Sequence, residues 1–129
     1  MQLAFPMPNQ LQLEGLTMPW ETTVRGSDQT RLAKWADQLG DSMISVPEHH
    51  LLSRAHLDRT RPHHFSSISP MAYFAGTTER IRVNSSVALL PLQHPAITAK
   101  ALSSLDWLSE GRVTITFGVG WLKDEFDAL

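Results

Sequence analysis

Short apolar runs alternate along the chain with stretches in which apolar residues recur every three or four positions. Gln2–Met7 is a brief extended run closed by Pro8-Asn9, which predicts a strand leading into a loop. Residues 10–26 show no period and contain Gly15, Pro19 and Gly26, so they read as a loop. Leu32, Trp35, Ala36 and Leu39 then form one helical stripe, with Ser27 or Asp28 as the cap and Gly40 at the closing position. Ser42–Val46 predicts a second strand, stopped by Pro47; Glu48–Ser66 reads as a long polar loop. Ser69-Pro70 predicts a cap and first turn for a helix ending near Thr77. Ile81–Leu90 is a strong strand bounded by Pro91. His94-Pro95 opens a helix carrying Ile97, Ala101, Leu105 and Leu108 on one side, and Gly111 ends it. In Val113–Val119, Val113, Ile115, Phe117 and Val119 share one face and Thr114, Thr116 and Gly118 the other. Leu122, Phe126 and Leu129 begin a last amphipathic helix.

The order is therefore β-α four times over. Such alternation predicts parallel strands joined by crossovers, with helices covering the sheet. An open doubly wound sheet and part of a (β/α)8 barrel both satisfy it. Trp35, Trp107 and Phe117 fall at packing positions and are expected in the core. The 129 residues are 42% hydrophobic and 19% charged, which suits a folded chain. They contain no cysteine, which excludes disulfides and thiolate metal sites. The net charge of −2 supplies no basic field for nucleic acid. No apolar run approaches the roughly 18 residues of a membrane span, and Met1–Gln10 does not have the form of a secretory signal. The expected location is the reducing cytoplasm, with neither nucleic acid nor membrane as partner.

Ligands of parallel α/β folds bind at the C-terminal ends of the strands, and two of those ends are chemically marked. The second strand is followed by Glu48-His49-His50, and the fourth ends in Gly118-Val119-Gly120-Trp121. The first suits proton transfer; the second suits close backbone approach, without the third glycine of a dinucleotide fingerprint. Five of the six histidines lie between His49 and His64, but none has HExxH spacing, and no metal site is assigned. Arg54, Arg59 and Arg61 read as a solvated basic stretch.

Five segments, in order, resemble the luciferase-like monooxygenase family of flavin- and deazaflavin-dependent (β/α)8 oxidoreductases. They are Val46-Pro47-Glu48-His49-His50, Thr78–Val83, Leu90–Pro95, Leu105–Val113 and Gly118–Phe126. The resemblance implies the N-terminal half of a TIM barrel, as one partial-barrel domain over residues 1–129. It implies a ring of FMN or coenzyme F420 over the barrel mouth, acting on a small-molecule substrate. His49 would be catalytic, with Glu48 orienting it. Ser86, Val87, Ala88, Gly118, Val119, Gly120 and Trp121 would bound the ring, with a cis bond expected at Ser86-Val87. A full barrel takes about 250 residues, so four units are expected either to self-associate into a completed barrel or to belong to a longer protein. A catalytically silent half-barrel serving assembly, and a metal-dependent hydrolase built on the histidine-rich stretch, are the competing readings.

Overall fold

The computed structural model describes residues 3–13, 15–57 and 60–129. Four strands form one sheet: β1 (Ala4–Pro6), β3 (Met43–Val46), β5 (Arg82–Leu89) and β6 (Val113–Gly118), in that spatial order and all parallel. Three helices connect them, α1 (Gly26–Leu39), α3 (Ile68–Thr77) and α4 (Pro95–Leu108), and α5 (Lys123–Ala128) follows the last strand. Each strand lies beside its predecessor, which is the order in which a (β/α)8 barrel begins.

Two stretches hold elements that were not legible in the pattern. Within residues 10–26, β2 (Leu11–Leu13) forms, followed by a 3-10 turn at Pro19–Thr23. The polar stretch after Pro47 holds α2 (Arg54–Leu57) and β4 (Thr60–His64), and β4 pairs antiparallel with β2 as a separate ribbon. Arg59 lies outside the described residues.

Register sets the two faces of the sheet. Ile44 pairs with Val83 and Val83 with Val113, and these side chains face the helices; Ile44 and Val83 are fully buried with Val46, Met71, Phe74, Ala33 and Ala36. The opposite face carries Ser45, Asn84 and Thr114 in one row. Two polar side chains pin this core. Asp37, on α1, accepts the backbone N–H groups of Glu79, Arg80 and Ile81 at 2.8, 3.1 and 2.7 Å. Burial alone would raise its carboxyl, but those three donors and the Arg80 charge more than offset this and hold it below the ordinary range. Arg112 reaches the carbonyls of Ala75, Ile81 and Ser109 and the hydroxyl of Thr78. It thereby closes the end of α3 onto the turn after α4.

Several expectations change. Trp35, Trp107 and Phe117 are not core residues: they are 54, 81 and 53% exposed. Trp35 lies on the outer side of α1 beneath the Arg31 guanidinium. Trp107 and Phe117 stand on the α4–β6 side of the sheet, where no further element packs among the described residues; Ile97, Leu108 and Val119 are exposed there too, and so is Leu39 on α1. The cap of α3 is Ser67, not Ser69, and its hydroxyl is spent on a carboxylate elsewhere. At α1, Arg25 occupies the cap position, and Asp28 serves from the third residue by accepting the Arg25 N–H at 3.1 Å. Gly40 closes α1 at φ 86°, the left-handed conformation that a glycine enters without strain.

Candidate active site

The C-terminal ends of β3, β5 and β6 converge, and two buried carboxylates tie them together. Glu48 follows β3. Its Oε1 accepts the N–H and hydroxyl of Ser67 at 3.1 and 2.9 Å; its Oε2 accepts the Leu89 N–H at 2.8 Å and the Gln93 amide at 2.7 Å. His50 Nε2 stands 3.7 Å from the same oxygen. Four donors from the start of α3, the end of β5 and the following turn thus close on one carboxylate. It joins these elements, and none of these hydrogen bonds goes to His49.

The carboxylate on His49 belongs to Glu125. Glu125 Oε2 lies 3.1 Å from His49 Nδ1, while Oε1 accepts the backbone N–H groups of His50 and Leu51 at 2.7 and 3.2 Å. Burial pushes the Glu125 carboxyl upward. The His50 N–H, the His49 side chain and the Leu51 N–H outweigh this and leave it below its ordinary value, so it is ionised at neutral pH. The expected Glu48–His49 couple is therefore corrected to Glu125–His49. Glu125 escaped the sequence reading because it lies 76 positions from its partner. One signal was present: it sits with Leu122, Phe126 and Leu129 on the apolar stripe of the last helix, where a carboxylate needs a buried partner.

Around this pair are aromatic edges. The His49 ring meets His64 edge-on at 5.5 Å between centroids and Trp121 at 6.4 Å, and His56 meets Trp121 at 6.0 Å. Trp121 itself is 75% exposed.

On the β5 side the Ser86–Val87 peptide bond is cis, and the pairing with β6 shifts register between Ser86 and Ala88. Ser86 is exposed, Val87 half-buried and Ala88 buried, so Ala88 is withdrawn from the mouth. On the side where a side chain would stand, the two glycines face no open space. A Cβ on Gly118 would lie 2.6 Å from Val87 Cγ2, and one on Gly120 2.9 Å from the Phe126 ring. The space is filled by the protein's own side chains, which lets the ends of β5, β6 and α5 close together. A cleft of about 560 Å³ opens beside Ser86, at the ends of β1, β3 and β5, between Met7, Ser45, Pro47 and the loop residues Leu16 and Trp20. Its β1 side was unmarked in the sequence. Among the described residues no three His, Asp or Glu side chains gather as metal ligands. Arg54 is exposed on α2.

Comparison with known proteins gives a consistent result. The family model for luciferase-like monooxygenases matches residues 1–129. A Mycobacterium tuberculosis protein of uncharacterised function is 35% identical over 117 residues, covering 81% of this chain and 41% of its own length. The 4-hydroxyprotoasukamycin monooxygenase of Streptomyces nodosus is 34% identical over 102 residues, covering 76% of this chain and 24% of its own. The crystal structure of monooxygenase RslO1 from Streptomyces bottropensis superposes with a TM-score of 0.72 at 26% identity, over 99% of this chain and 36% of that one. Two structures share the fold at 20% identity. They are the oxygenating constituent of 3,6-diketocamphane monooxygenase from Pseudomonas putida in complex with FMN (TM-score 0.71, 98% of this chain, 32% of that one) and the coenzyme F420 dependent tetrahydromethanopterin reductase from Methanopyrus kandleri (0.67, 98% and 29%). The chain thus spans less than half the length of the relatives it matches, and its four strands correspond to half of their barrel.

Proposed function

Because the chain belongs to the luciferase-like monooxygenase family, we propose that it forms the part of an oxidoreductase site in which His49 faces FMN or coenzyme F420 and a small organic substrate. The observation that carries this reading is the convergence of three strand ends, with His49, Trp121 and Ser86-Val87, of which Ser86 also lines the 560 Å³ cleft at the ends of β1, β3 and β5. That volume and its mostly apolar walls suit a ligand of coenzyme-ring size. Ser86 offers a hydroxyl, Val87 and Trp121 offer apolar and aromatic surface, and His49 can donate or accept a proton. The bound coenzyme would supply hydride transfer or oxygen chemistry; the protein orients it and shields the site. FMN and F420 both fit this account.

Titrating the purified chain with each coenzyme, read by fluorescence, tests it. Saturable quenching with one of the two is expected; none with either overturns the reading. In an active preparation, His49→Ala is expected to lower turnover by about 10²-fold or more with an unchanged circular dichroism spectrum. Undiminished turnover would remove His49 from the chemistry.

One observation favours a second reading, an assembly role. Trp107, Phe117 and Val119 lie exposed beside β6, and β1 and β6 have no outer partner among the described residues. Two copies related by a twofold axis along the barrel would set each β1 beside the other copy's β6. Together they would close eight parallel strands.

A further inference from the structure

The observations reach furthest at the pair of His49 and Glu125. We infer that Glu125 is a positioning residue that fixes the tautomer of His49, placing the proton on Nδ1 and leaving Nε2 as the nitrogen that accepts or delivers a proton at the barrel mouth. The inference rests on the reading of His49 as the group that meets coenzyme or substrate, and it adds which of its two nitrogens does so.

Three facts lead there. Glu125 is buried to 1% exposure and acts only as an acceptor, because its three contacts are with N–H groups or a ring nitrogen and its ionised form is favoured. The two backbone donors, from His50 and Leu51, both fall on Oε1. They fix the carboxylate plane and leave Oε2 for the ring. A neutral imidazole facing a carboxylate oxygen at 3.1 Å through Nδ1 must carry its proton on that nitrogen. The rings of His64 and Trp121 meet the imidazole edge-on.

The same geometry gives a sharp contrast for Glu125→Gln. The two backbone N–H groups would keep the amide oxygen at the Oε1 position. The amide NH₂ would then point at Nδ1, which would have to accept. The imidazole proton would move to Nε2, and the tautomer would invert with almost no change in shape.

Nitrogen-15 NMR of histidine-labelled protein, recorded on the alkaline side of the imidazole titration and without coenzyme, reads this directly. His49→Asn identifies the His49 signals by their loss. The native protein is expected to show protonated Nδ1 and unprotonated Nε2 at His49, and Glu125→Gln the reverse, with the other histidines unmoved. An Nε2–H tautomer in the native protein, or the same tautomer in both, overturns the inference. Should Glu125→Gln fail to fold, the native spectrum alone decides. Because no coenzyme is present, a failure of coenzyme binding leaves this result standing, and an absent tautomer preference leaves the coenzyme reading standing.

Discussion

At Gly118 a single hydrogen stands where any other residue would meet Val87, at 2.6 Å from its Cγ2. Gly118→Ala should therefore push Val87 aside. Overpacking of this kind typically costs about 1–3 kcal/mol. Val87→Ala made in the same chain should recover part of that cost, because the clash is with a side chain and not with backbone. Chemical denaturation of the two single variants and the double variant measures the coupling; strictly additive effects would show that the two residues do not press on each other. The sequence showed two glycines at a strand end and suggested space for a ligand. It could not show that side chains from other elements fill that space. The same holds for Glu48: its place beside two histidines suggested a catalytic couple, yet its four donors come from residues 19 to 45 positions away.

Elements differ in how far local pattern reveals them. β5 and β6 were legible because β-branched residues alternate between Pro, Gly and polar stops, and those cues are local. β4 was not: Thr60-Arg61-Pro62-His63-His64 carries a proline and no apolar alternation. It forms a strand because β2, some 50 residues earlier, offers a partner. Helix periodicity correctly gave α1 and α4 but said nothing of what covers each side, hence the misplacement of Trp35 and Trp107. The joint between α1 and β5 carries a prediction. Asp37 has a carboxyl held below its unfolded value, as does Glu125. Both therefore stabilise the fold above the ordinary carboxylate range, near pH 4, and that contribution is lost as pH falls through their lower folded values. Melting temperature followed from pH 7 toward pH 2 should drop at the acid end. Asp37→Asn, which turns an NH₂ toward backbone donors, should melt lower at pH 7, by roughly 1–3 kcal/mol of stability. It should also show a shallower acid decline. Acid declines of equal depth would exclude Asp37 from this role.

For the whole molecule, the parallel order β1-β3-β5-β6 leaves a face carrying Ser45, Asn84 and Thr114 and two strand edges without partners among the described residues. Edges of this kind pair with other chains unless something covers them. Analytical ultracentrifugation at micromolar concentration should show a dimer, and Phe117→Lys, placing a charge beside the β6 edge, should shift it toward monomer. A native chain that stays monomeric and soluble at high concentration would count against closure by a second copy. The parallel βα order was legible because alternation of elements is a property of the entire chain, while the choice of a half-barrel over an open sheet came from the family resemblance. The direction of His49 was not, since it depends on a contact between the loop after β3 and the distant helix α5.

Glu125 sits only three residues into α5, yet it governs an imidazole 76 positions upstream. A change that unwinds the six residues of α5 would therefore release the His49 ring and leave every strand intact. Preparations with normal far-ultraviolet spectra could still differ at this pair, so the integrity of α5 is the first thing to compare when such preparations disagree.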